Sequence, residues 1–210
     1  MLSRFLPLLG VILFVGVGFI FRAWLQYRRY GQLGIILFRS ARPAQKLRDA
    51  LFVVLLLLLT TQAVAAAIEP AALNRLLIFV APEAGLALVG GAGLLLGGTV
   101  LMVAAQLWLG KSWRIGIDEA ASPGLVTAGL YRFSRNPIFL GMFILLGGLT
   151  VLLPTWLSVA ALLGTIISVR SQVREEEAYL SATYGQAYRA YTRRVGRFLP
   201  RLGQGESLDG

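Results

Sequence analysis

Residues 124–141 read GLVTAGLYRFSRNPIFLG, a polar, basic connector that runs straight into an apolar segment. Tyr131, Arg132, Arg135 and Asn136 crowd its end, and Pro137 opens the apolar part. Proline is tolerated at the first position of a helix, where its missing N–H would have no partner anyway. A helix is therefore predicted to begin at Pro137. Downstream, Pro137–Leu153 and Thr155–Val169 are apolar runs of 17 and 15 residues joined at Pro154. At 1.5 Å per residue they reach roughly 25 and 22 Å, a little short of a ~30 Å hydrocarbon core. They read as a tight helical hairpin that returns the chain to the side it left.

Upstream lie three more uncharged runs: Phe5–Phe21, Ala50–Ile68 and Ala84–Gly110, of 17, 19 and 27 residues. Composition agrees with membrane spans, since the 210 residues are 57% apolar and only 14% charged, against about a quarter charged in soluble domains. The first run reads as a membrane helix rather than a cleaved leader, because Phe21-Arg22-Ala23-Trp24 offers no small-x-small site after it. The expected fold is all-α and polytopic, with about five transmembrane helices, a C-terminal helical hairpin and a cytoplasmic C-terminal helix. Gly93 and Gly97, four apart in the third run, are predicted to let another helix approach closely.

Basic residues fix an orientation. The 22–49 loop carries seven, the 69–83 loop one, the 110–136 loop four and the 170–210 tail seven. Five crossings with the N-terminus outside place 18 of the 20 in the cytoplasm, and the opposite orientation places two. Part of the 22–49 loop, with Leu33, Ile36 and Leu37 at helical spacing, is suited to lie on the membrane surface. The net charge of +10 sits beside apolar segments, where it meets anionic headgroups rather than nucleic acid. With no histidine or cysteine in the chain, thiolate chemistry, Ser-His-Asp catalysis and the usual metal sites are excluded. No span holds an Asp, Glu, Lys or Arg, which argues against an ion-coupled transporter. Chemistry is expected at the cytoplasmic rim.

The tail supplies the second half of that rim. Val173, Glu177, Leu180, Tyr184, Tyr188 and Tyr191 step by three or four and share one helical face. Glu175, Glu176 and Glu177 stand near its start.

GLYRFSRNPIFLG resembles the G-P-Y-R-x-x-R-[HN]-P-x-[YF]-x-G signature of the isoprenylcysteine carboxyl methyltransferase-like family, itself similar to the phospholipid methyltransferases. The tail resembles the same family through Glu176-Glu177, Leu180, Tyr184-Gly185, Tyr188, Tyr191, Val195 and Pro200. Two motifs in the right order, separated by an apolar hairpin, cover roughly residues 110–200. The uncharged runs give three N-terminal transmembrane helices over 1–110 with a basic cytoplasmic loop at 22–49, the resemblance implies a methyltransferase-like catalytic region over 111–200, and a flexible tail is expected at 201–210. It implies an integral-membrane enzyme that uses S-adenosylmethionine and a lipophilic acceptor entering from the bilayer. Carried over by motif position, Arg135, Glu176 and Glu177 are the expected catalytic residues. Tyr131, Arg132, Arg135, Asn136, Pro137, Glu176, Glu177, Tyr184 and Tyr188 are the expected cofactor-binding residues, and no metal is expected.

Two positions depart from the pattern: Leu130 stands for the usual proline and Asn136 for the more frequent histidine. Asparagine cannot act as a base, which favours a carboxylate or thiolate acceptor, since neither needs deprotonation beyond its ionised form. A protonated amine would need Glu176 or Glu177 as base. The competing reading is a non-catalytic scaffold or lipid-binding protein that keeps the fold.

Overall fold

The computed structural model of the chain describes residues 2–32, 34, 35, 37, 38, 42–77, 85–113 and 124–201. They form an all-α, polytopic membrane protein. Helix α1 (Ser3–Tyr30), α2 (Pro43–Ile68), α3 (Leu86–Leu109), α4 (Pro137–Leu152) and α5 (Trp156–Arg194) follow in chain order. Among the described residues the extended contacts are isolated bridges, Leu77 with Thr155 and Ser134 with Gly196. Large apolar side chains such as Leu57, Leu86, Val100 and Ile167 point outward along the long helices, as lipid-facing residues do.

The helix ends follow local chemistry. Pro137 and Pro43 each take the first helical turn, and Gly31 closes α1 in the left-handed conformation that glycine favours (φ 71°). Thr155 caps α5 by accepting from the Ser158 N–H. The basic 22–49 connector is shorter than its composition suggests. Arg22–Tyr30 continues α1, and α2 already begins at Pro43. The surface segment expected at Leu33–Leu37 falls partly outside the described residues, as do 114–123 of the polar connector.

The hairpin is also asymmetric. A separate cytoplasmic C-terminal helix was expected after the hairpin, but α5 runs unbroken from Trp156 through Arg170 as far as Gly185. Between Gly164 and Gly185 the sequence contains neither glycine nor proline, so charge appears there without a helix breaker. The stretch before Gly185 alone reaches roughly 44 Å, so α5 outruns a ~30 Å hydrocarbon core and projects beyond it. Gly185 (φ 49°, ψ −117°) then breaks the helical geometry, a conformation open mainly to glycine.

Helices α3 and α4 form the closest pair. A Cβ on Gly141 would lie 2.6 Å from the Met102 nitrogen, and one on Gly148 would lie 2.6 Å from the Leu95 nitrogen. Gly91 and Gly98 oppose them, seven residues or nearly two turns apart. The expectation for Gly93 and Gly97 is corrected: nothing lies within 4 Å of a Cβ built on either. The seam uses the other face of the same helix. Around it pack Phe14, Leu95, Met102, Leu145, Leu146 and Leu149.

The connections segregate by end. Leu76 accepts from the Trp156 N–H at 3.1 Å, and the Thr155 hydroxyl there donates to Gln62 and hydrogen-bonds with the Ser158 hydroxyl. At the other end gather the α1–α2 connection, the residues before α4 and the end of α5.

Candidate functional site

The residues before α4 are fastened to the end of α5. The Arg135 N–H donates to the Gly196 carbonyl at 2.9 Å, and the Asn136 side-chain amide donates to the Arg197 carbonyl at 3.0 Å. The Arg135 guanidinium binds three groups of α5 and its exit: the Thr192 and Val195 carbonyls at 3.2 and 3.1 Å and Glu177 at 2.7 Å. Arg197 closes on Glu177 from the other side at 2.5 Å. One carboxylate thus holds two guanidinium groups, and the cluster keeps a net positive charge. Hydrogen bonding to Glu177 raises the Arg197 pKa further. The tyrosine face completes the attachment, because Tyr191 donates to the Tyr131 carbonyl at 2.6 Å, and Tyr188, Tyr191 and Val195 pack with Leu125, Leu180 and Tyr184.

A second clasp joins α2 to α5. Arg48 makes a bidentate pair with Glu175, 2.6 Å on each side, and donates to Gln45 at 2.7 Å. Gln45 in turn donates to the buried Asp49, which also accepts the Phe38 N–H. A third network fixes α1 to α3. Arg22 donates to Gln26 and to the Gln106 and Gly110 carbonyls, with its guanidinium 4.5 Å from the Trp113 ring centre. Gln106 donates to the Gly18 carbonyl, which lies in a π-helical stretch of α1, Leu13–Phe21.

These three fastenings surround a cavity of about 290 Å³, near the lower end of the range of small-molecule sites. Its rim is polar: Asp49, Arg135, Asn136, Gln172, Glu176 and Glu177. Its depth is apolar, with Phe19, Phe52, Leu55, Met102, Met142 and Val169. Tyr131 and Tyr188 also line it. Burial pushes the Tyr131 hydroxyl well above the usual phenol range, with Glu176 adding to the shift. Burial does the same to Tyr188, aided by Glu177, and lifts Tyr191 to about 12 against the opposing charge of Arg135. These phenols stay neutral at physiological pH and serve as walls rather than bases.

Of the residues singled out by sequence, Tyr131, Arg135, Asn136, Glu176, Glu177 and Tyr188 meet at this cavity. Arg132 does not line it and lies exposed over the Phe133 ring. Pro137 is buried at the start of α4, and Tyr184 packs beside the tyrosine cluster. Sequence reading passed over Arg48, Asp49 and Gln106 in the cavity wall and Arg197 on Glu177. Gln106 had a visible signal, as one of few polar side chains inside an uncharged 27-residue run.

Residues 86–187 match the family model described as phospholipid methyltransferase. The chain is also 33% identical, over 79 residues, to the protein-S-isoprenylcysteine O-methyltransferase of Schizosaccharomyces pombe. That match covers 37% of this chain and 34% of the relative, so the chain spans about a third of the length of the curated relative it matches. The family-model match runs through the α3–α5 unit that carries the rim, where the chain is similar to the phospholipid methyltransferases.

Proposed function

We propose that the chain is a membrane-embedded methyltransferase that takes its methyl group from S-adenosylmethionine and passes it to a lipophilic acceptor at the cytoplasmic face. The observation that carries this reading is a cavity in which a charged rim adjoins an apolar depth. A cofactor with both charged and hydroxyl groups and an acceptor with a hydrocarbon tail require opposite surroundings, and here these adjoin.

The rim fits the cofactor's chemistry. The Arg135–Glu177–Arg197 cluster, with its surplus positive charge, favours the cofactor's carboxylate. Glu176, at the cavity wall, suits its ammonium or ribose hydroxyls. Tyr131 and Tyr188 supply neutral aromatic faces for adenine or sulfonium. When bound, the cofactor supplies an electrophilic methyl group. The chain's own part is to hold the acceptor in line and exclude water, which strengthens an ionised carboxylate or thiolate as nucleophile. An amine acceptor would need a rim carboxylate, Glu176 or Glu177, to take its proton. The charge distribution supports an outside N-terminus and cytoplasmic rim.

Titration of the detergent-purified protein with S-adenosylhomocysteine, followed by calorimetry, tests the reading. Micromolar binding that weakens about tenfold in Glu176→Gln, from the loss of a charge-assisted hydrogen bond, is the expected result. Absence of binding at millimolar ligand would leave the lipid-binding scaffold as the better account.

A further inference from the structure

We propose that the end of α5 docks on anionic phospholipid headgroups at the bilayer surface on the rim side, and that this contact holds the rim together. The docking patch combines the exposed arginines Arg132, Arg193, Arg194 and Arg201 with the exposed apolar residues Phe133 and Leu199. None of the six lines the cavity, and the patch does not rest on the methyltransferase reading.

The backbone brings the two pieces of the patch together. Ser134 forms a bridge with Gly196, and the Arg135 N–H donates to the Gly196 carbonyl at 2.9 Å, so Arg132 and Phe133 run beside the exit of α5. The turn after Gly196 is tight, because a Cβ there would collide with the Leu199 carbonyl. Arg201 donates back to the Arg193 carbonyl at 2.6 Å, and the Arg132 guanidinium lies 5.1 Å from the Phe133 ring centre.

Two landmarks set the depth of the patch. Trp108, exposed near the end of α3, belongs at headgroup level, where tryptophan gathers. Gly129 packs directly on its ring, where any Cβ would clash, so the turn Gly129–Arg132 that leads into Phe133 sits at that level. On the other side, the Phe198 ring centre lies 5.5 Å from that of Phe143, a residue roughly 9 Å into α4 from Pro137. The chain leaving α5 therefore turns back towards the bilayer. Phe133 and Leu199 meet the boundary between headgroups and acyl chains, with the arginines around them.

Charge selects the lipid. Residues 124–136 and 178–201 contain no Asp or Glu, and Glu177 is already shared by Arg135 and Arg197. Each arginine near an anionic surface favours the contact by about fivefold, and zwitterionic headgroups offer no such net attraction. The contact reaches the rim because Arg135 and Asn136 bind the Thr192, Val195 and Arg197 carbonyls of this same segment, beyond the break at Gly185. Lipid that pins residues 193–201 thereby holds the Arg135–Glu177–Arg197 cluster closed.

The test measures hydrogen exchange of residues 186–201 for the full chain in nanodiscs of phosphatidylcholine alone or with added phosphatidylglycerol. Exchange at least about fivefold slower in the anionic bilayer is expected. The difference should vanish near 1 M salt, where screening shortens to roughly 3 Å, and in the triple variant R132Q/R193Q/R194Q. Arg75→Gln, exposed at the other end of the bundle, should keep it. Because the chain has no cysteine, a spin label on Leu199→Cys reports depth, and lipid-soluble oxygen should reach it more readily than a water-soluble nickel chelate. Equal exchange in both bilayers, a lipid effect that survives the triple substitution, or a label reached mainly by nickel overturns the proposal. No cofactor takes part in either measurement, so failure of the methyltransferase reading would leave the docking patch standing.

Discussion

Helices α3 and α4 meet backbone to backbone, whereas α2 and α5 stand apart and touch through long side chains. In the first pair, glycines at 91, 98, 141 and 148 let backbone meet backbone along the seam. In the second, Leu51, Phe52 and Leu55 face Thr165, Ser168 and Val169 across the cavity, and Arg48 reaches over to Glu175 at its mouth. The difference shows how a small bundle can have both a rigid half and an open half. Lipid offers no hydrophobic drive for helices to associate, so the glycine seam supplies close packing, and the space is left where bulky and polar side chains hold the helices apart.

Substitutions on the two sides should behave differently. The largest effect is expected from Gly98→Leu, where a side chain would meet the Gly141 carbonyl 2.6 Å from its first carbon. Overpacking against backbone should cost about 3 kcal/mol or more, visible as a steep loss of melting temperature in detergent, while Gly93→Leu on the open face should change little. Equal effects at both sites would mean the seam is not the rigid half. Next comes Glu177→Gln, which strips the shared carboxylate from the mostly buried Arg135 and the 38% exposed Arg197. About 2 kcal/mol is expected, most of it from Arg135 because water screens Arg197, together with protease cutting near the end of α5. Arg48→Ala should cost only about 1 kcal/mol, since Glu175 is partly exposed. It should nonetheless speed entry of a fluorescent lipid into the cavity, and unchanged entry would deny the clasp its role. The smallest effect is on pH dependence. Because burial raises the Tyr191 pKa from 10.0 to about 12, its contribution to stability is complete below pH 10 and is lost as pH rises through 12. A Tyr191→Phe protein should show a flatter melting curve across that range.

The spans and the rim motif were legible in sequence because each depends on local pattern: uncharged length, prolines at helix starts, and a tyrosine face stepping by three or four. That face survives in the fold, with Val173, Tyr188 and Tyr191 all buried, even though Gly185 breaks the helix between them. What was not legible depends on which helix faces which. α3 carries glycines on two faces, and nothing in its own sequence says that Gly91 and Gly98 rather than Gly93 and Gly97 meet α4. Arg48 reads as one more basic residue until Glu175 lies opposite it. Arg135 presents a further lesson. A motif arginine suggested a ligand-binding charge, yet its terminal nitrogens already hold Glu177 and two carbonyls, so it shapes the rim as well as charging it.

The most direct test of the central claim, that one cavity joins cofactor and lipid acceptor, is transfer of a labelled methyl group. Purified protein in nanodiscs would be incubated with S-adenosylmethionine bearing a tritiated methyl and N-acetyl-S-dodecylcysteine, and the organic extract counted. Label moving into the lipid extract with wild type, and falling at least about tenfold with Glu176→Gln, is the result expected. S-adenosylmethionine bound by the protein, with acceptor present and no label transferred over hours, would contradict the claim.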